Sequence, residues 1–384
     1  MTSSDAVQLR QSAFATQIAT RVIFFIAGMG MSAWAPLVPY AKARATLSDA
    51  SLGGLLLFLG VGSLAAMPLT GILASKYGCK AVIVSAGLFM MLTLPLLAVL
   101  PTPFTLALCL MVFGAAIGVM DVAMNIQAVE VEKAAGRAMM SGFHGFFSIG
   151  GIAGAGLVSA MLWLGLSPLN AVLLIVALII LLLLSSQKHL LSDRQHQSGS
   201  PLFVLPRGWV LFLGTLCFIL FLAEGAILDW GALFLTSVRD LPASQAGLGY
   251  AVFSIAMTIG RLTGDRIVNA CGSALILLLG SLCAAAGILL AVSINDARVT
   301  LLAFLLIGFG ASNTVPILFS AAGKQETMPA SLAISAMTTI GYAGILAGPA
   351  LIGFVSQWFG LTTAFSAIAM LLLAVAASAR LVTR

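Results

Sequence analysis

The chain has 384 residues, 61% of them hydrophobic and 8% charged, against roughly 25% charged in an ordinary soluble domain. That composition excludes a water-soluble enzyme. The net charge of +6 is spread over short loops between apolar segments with no aromatic-basic patch, so it speaks of membrane topology and not of nucleic acid.

At about 20 apolar residues per crossing, the chain has room for a dozen helical spans. Unbroken runs such as Ala171 to Leu184 exclude an outer-membrane barrel, whose strands alternate apolar and polar residues. Met1 to Gln17 lacks the basic, apolar and cleavage regions of a signal peptide, so the first span is expected to stay as an anchor. Twelve apolar stretches follow, near 18–40, 50–74, 81–100, 104–129, 139–163, 167–186, 209–236, 244–264, 273–293, 299–322, 331–356 and 361–380. This predicts an all-α membrane protein of twelve transmembrane helices in two pseudo-symmetric six-helix bundles, 1–186 and 209–384. Between them, 187–208 reads as a linker, with Lys188, His189, Asp193, Arg194, His196 and a Ser-Gly-Ser-Pro run from Ser198.

With both termini in the cytoplasm, most bases fall inside: Arg10, Lys76, Lys80, Lys133, Arg137, Lys188, Arg194, Arg207, Arg266, Lys324, Arg380 and Arg384. Lys42, Arg44, Arg239 and Arg298 fall outside, and Arg21 and Arg261 lie within or at the ends of spans. The bias satisfies the positive-inside rule. Cys79, Cys109, Cys217, Cys271 and Cys283 form no CxxC pair. They read as free thiols, with neither a disulfide framework nor a metal cluster, and no cofactor is expected.

The halves repeat each other. Leu47, Gly53 and Gly78 correspond to Leu241, Gly247 and Gly272, each 194 residues on, and Leu69-Thr70-Gly71 recurs as Leu262-Thr263-Gly264. Trp34-Ala35-Pro36-Leu37 is echoed by Trp230-Gly231-Ala232-Leu233, and Gly151-Ile152-Ala153-Gly154 by the stretch from Gly344 to Gly348. A set at nearly constant offset implies duplication.

Twelve spans in two homologous sixes with a basic central loop resemble the major facilitator superfamily over essentially the whole chain. Its loop motif between spans two and three is approximated by Gly71-Ile72-Leu73-Ala74-Ser75-Lys76-Tyr77-Gly78-Cys79-Lys80, with Ser75 where the family usually has Asp. In the second half, Gly260-Arg261-Leu262-Thr263-Gly264-Asp265-Arg266 keeps an acid-base pair at altered spacing. The resemblance implies that Gly71, Lys76, Gly78, Lys80, Arg261, Asp265 and Arg266 brace a cytoplasmic gate. The phrases Asp121-Val122-Ala123-Met124-Asn125, Phe143-His144-Gly145-Phe146-Phe147-Ser148 and Asp229-Trp230-Gly231-Ala232-Leu233 are similar to a bacterial branch related to fucose permease. That implies alternating access in a bacterial inner membrane, with a small-molecule substrate and protons as partners, in a bilayer, by a functional monomer.

Three acids lie inside apolar spans: Asp121, Glu224 and Asp229. An ionised carboxylate there costs several kcal/mol, so each is expected to face a wet cavity, pair with a base or hold a proton, since desolvation favours the neutral acid. Asp121 and Asn125 share a helix face, and a hairpin turning near Ala134 sets Asn125 level with His144 and Asp121 close to Ser148. His144 either shares a proton with Asp121 or donates to a backbone carbonyl. Asp229 lies about 140° around the helix from Glu224, so one acid faces the cavity while the other pairs elsewhere.

Arg261 is expected in the last turns of span eight, where it can snorkel to the surface, either contacting substrate or pairing with Asp265 at the gate. Trp34 and Trp230 occupy matching places, as substrate contacts or interfacial anchors. Asn313 offers an amide to the cavity or repairs the backbone opened by Pro316. Gly150, Gly151, Gly154 and Gly156, with Gly341, Gly344 and Gly348, read as packing devices. The reading is a proton-coupled carrier of a small polar solute of sugar-like kind. No Lys or Arg is expected at span centres, which argues against a multiply charged anion. The rivals are an exporter of drugs or cations and a sensor that binds without turnover.

Overall fold

The computed structural model describes residues 3–192, 206–242, 245 and 247–383, with side chains from 13 onward except at 49 and 50. Of the predicted linker, 193–205 lies outside the described residues, as do Arg384 and the side chain of Arg10. Every regular element among the described residues is helical. The first half forms α1 (Ser3–Ser32), a 3-10 turn at Ala35–Leu37, α2 (Val38–Arg44), α3 (Asp49–Tyr77), α4 (Cys79–Val99), α5 (Pro103–Ala135), α6 (Met140–Trp163) and α7 (Pro168–Ser186). The second forms α8 (Trp209–Ser237), α9 (Leu248–Cys271), α10 (Ser273–Ser293), α11 (Ala297–Ala311), α12 (Thr314–Lys324), α13 (Ala330–Phe359) and α14 (Leu361–Val382).

Among the described residues fourteen α-helices make twelve spans, because two spans are broken. Pro36 in the 3-10 turn and Pro39 after it lack backbone N–H groups, and α1 gives way to α2 there. Span ten breaks at Ser312 and Asn313, ahead of Pro316. The carbonyls freed at that break are taken by hydroxyls: Thr314 Oγ1 donates to Ala311 O at 2.8 Å, and Ser312 Oγ to Phe309 O at 2.7 Å. Eleven of the spans are long and apolar enough to cross a membrane. The twelfth, α9, falls short in hydropathy because it carries Arg261, Asp265 and Arg266, yet its 24 residues reach about 36 Å, more than the ~30 Å hydrocarbon core.

The chain forms two compact units. One holds the chain up to Gly136, the stretch from Phe146 through α7, and Pro329–Ser335; the other holds Arg137–Gly145, the chain from α8 to Met328, and Ala336 onward. Within the first, α5 packs on α3 and α4, and α7 on α1 and α4; within the second, α11 packs on α9 and α10, and α14 on α8 and α10. The contact patterns correspond, as duplication requires. Gly150 meets Phe25 O where a Cβ would collide, and Gly344, 194 residues on, meets Phe218 O in the same way. These glycines let helix backbones touch, as their spacing predicted. Gly78 and Gly272 each end one helix and start the next at φ 83°, a conformation that a side chain opposes.

Outward-facing side chains are apolar: Leu92, Leu181, Leu302 and Met370 are each more than half exposed, as suits a surface that meets lipid. Trp163 and Trp358, 195 residues apart, stand exposed at the ends of α6 and α13, the place of an interfacial aromatic belt.

Candidate functional site

In the first unit the polar side chains gather on α5. Asn125 is fully buried and its Nδ2 donates to Asp121 O at 2.9 Å and to Asp121 Oδ1 at 3.4 Å. The four-residue spacing thus brings these two together, one turn apart on a helix. Gln127, also fully buried, was passed over in the sequence because two residues further along it sits on another face. Its Nε2 donates to Thr20 Oγ1 at 3.3 Å, and its Oε1 accepts the Leu191 N–H at 3.1 Å. Lys80 N–H in turn donates to Leu191 O at 2.9 Å. The chain leaving α7 is therefore clamped against α5 and the Gly78 turn.

In the second unit, Arg261 Nη2 lies 3.5 Å from Glu224 Oε1. Arg261 is 8% exposed and the Glu224 side chain 17%. This corrects the expectation that Arg261 snorkels to the surface. It does not snorkel from the last turns of its span, because α9 runs on to Cys271, ten residues beyond it. Glu224 is an acid beside it that the sequence reading did not pair with it, and Asp265 Oδ1 accepts the Gly142 N–H at 3.0 Å. A buried base therefore stands in the middle of a span, contrary to the expectation that span centres hold none.

Asp265 and Asn269 lie four residues apart on α9 and act together. Asn269 Oδ1 accepts the Ala138 N–H at 2.9 Å and its Nδ2 donates to Ala138 O at 3.0 Å. A carboxylate on the first-turn N–H of α6 is also favoured by the helix dipole. The charges at 265 and 266 are read as a loop from sequence, but Asp265 and Asn269 hold the start of α6. Arg266 is exposed. At the corresponding turn in the first unit, Gly71 meets Ser331 O, and Ser335 Oγ donates to Met67 O at 2.7 Å. Lys76 Nζ stands 5.2 Å from the Tyr77 ring.

His144 is buried against Phe319, with ring centroids 5.6 Å apart. Asn313 does not repair the Pro316 break, which Ser312 and Thr314 serve. Instead its Nδ2 donates to Gly260 O at 3.2 Å and Ser312 Oγ at 2.9 Å, tying α9 to the broken span. Its buried Oδ1 finds no partner among the described residues, nor do the indole N–H groups of Trp34 and Trp230. Asp229 is exposed, and the Trp230 ring packs against Gly353. Of the two acids on α8, Glu224 lies against Arg261 and Asp229 is exposed. Among the described residues no cluster of His, Cys, Asp and Glu could hold a metal ion.

The family model of the Major Facilitator Superfamily matches residues 22–325. The chain belongs to that superfamily. An uncharacterised MFS-type transporter of Yersinia pestis is 62% identical over 377 residues, 98% of each chain. The membrane protein MosC of Rhizobium meliloti is 34% identical over 88% of this chain and 83% of its own. Among solved structures, the MFS transporter FucP in its outward conformation superposes with a TM-score of 0.84 at 18% identity, over 97% of this chain and 100% of that one. This major facilitator protein is a multi-pass membrane carrier, not an enzyme, and it moves small molecules by secondary active transport.

Proposed function

We propose that this major facilitator protein is a proton-coupled carrier of a small, hydroxyl-rich solute of the sugar class, acting by alternating access in a bacterial inner membrane with both termini in the cytoplasm. The observation that carries the reading is the buried Glu224–Arg261 pair. Charges inside a membrane protein are costly unless they serve an ion or substrate path. When Glu224 is ionised it neutralises Arg261; when Glu224 takes a proton the guanidinium is released, and its fork of N–H donors can hold a solute hydroxyl. Proton uptake and solute binding are thereby linked through one bond.

Asp121 with Asn125 supplies a second carboxyl group that can accept from solute hydroxyls or exchange a proton, and His144 lies within reach of the Arg261 charge. The buried indole N–H groups of Trp34 and Trp230 and the Asn313 Oδ1 offer two donors and one acceptor that the described residues leave unused, and Asp229 stands exposed beside Trp230. These are the groups a polyol would satisfy. The Asp265 and Asn269 bonds to Gly142 and Ala138 form the gate brace in this reading, with Gly71, Lys76, Gly78, Lys80 and Arg266 at the matching turns. The fold neighbours include a fucose:proton symporter and a proton:xylose symporter, which accords with this substrate class.

The test is flux in proteoliposomes with an imposed pH gradient, across sugars, amino sugars, nucleosides and a lipophilic cation. The expected result is gradient-driven uptake of one sugar-class solute. Glu224→Gln should lose accumulation against a gradient while retaining exchange of solute across the membrane. Cation efflux without sugar flux would favour the exporter, and binding with no flux under any gradient would favour a sensor.

A further inference from the structure

On the outer face of the first unit, α3, α4 and α5 leave a groove of about 560 Å³. Leu73 and Tyr77 of α3 form one wall and Phe89 of α4 closes the far end. Its depth comes from small side chains, chiefly Ala81 and Ser85 on α4 and Ala115 on α5. From Ala81 to Phe89 the groove follows α4 for about 12 Å at 1.5 Å per residue, close to the ~15 Å depth of one leaflet of a 30 Å hydrocarbon core. Its mouth is basic. Lys76, in the last turn of α3, stands over the Tyr77 ring, and Lys80, in the first turn of α4, precedes the Ala81 wall.

The internal repeat provides a control within the same molecule. The turns at Gly78 and Gly272, the 21-residue helices α4 and α10 and the N-caps Thr102 and Asp296 all align at 194 residues. At that offset Ala81, Ser85 and Ala115 become Leu275, Leu279 and Phe309, while Lys76 and Lys80 become Ala270 and Ala274. At these three positions the second half carries larger side chains and it lacks both lysines, while Tyr77, Ala86, Phe89 and Ala116 of the lining become the smaller Cys271, Gly280, Cys283 and Gly310. The small residues Ala81 and Ser85 and the two lysines that precede them thus occur together in the first half, and the second half has neither at the matching positions.

We propose that this groove binds one anionic phospholipid, with an acyl chain along α4 and the phosphate held by Lys76 and Lys80. Charge complementarity selects the occupant: zwitterionic lipid would gain the apolar contact but much less from the two ammonium groups.

The experiment is native mass spectrometry of the purified protein titrated with phosphatidylglycerol or phosphatidylethanolamine. The expected result is one tightly held phosphatidylglycerol, preferred on the order of tenfold, from two lysines each favouring an anionic surface. Lys76→Gln with Lys80→Gln should abolish the preference while leaving a lipid bound. Ala81→Leu with Ser85→Leu, which copies the second half, should remove the tight lipid of either kind. Equal binding of the two lipids to the unaltered protein, wild-type retention by the filled groove, or a second copy of the chain in place of lipid overturns the proposal. Should the filled variant not fold, phosphatidylglycerol carrying a photoactivatable group in mid-chain decides on the unaltered protein. Label within 73–89 and 112–119 supports the site, and label only elsewhere refutes it.

Discussion

Thr46 and Asp240, 194 residues apart, are the two non-glycine residues with positive φ among those described. Thr102 and Asp296, at the same separation, cap the N-termini of α5 and α11 with their side chains. Arg44 donates to Leu97 O and Leu100 O at the end of α4, and Arg239 to Ala291 O and Val292 O at the end of α10. Against this agreement stand the buried polar groups. Glu224 and Arg261 have Gly30 and Met67 at the matching positions, and Asp121 and Asn125 have Val315 and Phe319. The helix breaks also differ: Pro36 breaks the first span while α8 runs unbroken through Trp230, and span ten is broken while α5 is continuous. Duplication has kept what turns and caps the backbone. The buried ionisable and amide groups of Asp121, Asn125, Glu224 and Arg261 each stand in one half only.

The largest effect should come from breaking the polar pair. Glu224→Gln takes from the buried Arg261 the carboxylate that lies 3.5 Å away, and removing one partner of a buried pair costs about 3–5 kcal/mol. Arg261→Gln should cost less, because a carboxyl left alone can go neutral and a guanidinium cannot. The double variant should recover most of the stability of the first without recovering transport. Thermal unfolding in detergent, read beside liposome uptake, separates the two. If the double variant were no more stable than Glu224→Gln, the pair would not be the unit that the geometry makes it.

Next in size are the two outer arginines, which share a role but not a setting. Arg239 also bonds Thr300 Oγ1 and Asn295 Oδ1 at 3.2 and 3.1 Å, and its guanidinium lies 4.9 Å from the Phe234 ring. Hydrogen bonds involving a charged group contribute about 1.5–3 kcal/mol, discounted here for partial exposure. Arg239→Gln should therefore lower stability by about 2 kcal/mol and Arg44→Gln by about half that. Equal losses would show that only the shared carbonyl contacts count.

Much of the frame was legible in the sequence, because twenty-residue apolar runs and a fixed offset between glycines are local signals that survive without tertiary knowledge. The twelve spans, the Gly78 and Gly272 turns and the close-packing Gly150 and Gly344 were read in that way. The partner of Arg261 was not legible. Glu224 lies 37 residues earlier on another helix, and no spacing rule links the two. The charges after it misplaced the end of α9, since Asp265 and Asn269 face the start of α6 inside a helix that looks, residue by residue, like a loop. The basic groove was hidden for a different reason: it is made by missing side-chain volume, which shows only when the halves are aligned and Ala81 is set against Leu275.

The caps offer a smaller comparison. Thr102 Oγ1 accepts from Thr105 N at 3.3 Å, and Asp296 Oδ1 from Val299 N at 2.9 Å. Replacing either by Ala should cost about 1 kcal/mol, with the shorter bond and the negative charge at a helix N-terminus making Asp296 the more sensitive. Paired melting curves of Thr102→Ala and Asp296→Ala check the order.

The smallest effect is the one of opposite sign. A left-handed backbone conformation is unfavourable for L residues by roughly 1–2 kcal/mol, least for Asp and Asn and most for β-branched side chains. Thr46 at φ 50° and Asp240 at φ 55° occupy the same bend with unequal tolerance for it. Glycine relieves the steric conflict but gives the unfolded chain more freedom, so the two terms nearly cancel at Asp240 and do not at Thr46. Thr46→Gly should stabilise by about 0.5 kcal/mol and Asp240→Gly should change stability little. The bond from Thr46 Oγ1 to Ala45 O, 2.8 Å long, joins chain neighbours at a part-buried site, and its loss offsets part of the gain. Equal shifts in the two variants would mean that the bend itself, and not the side chain it carries, sets the energy at both positions.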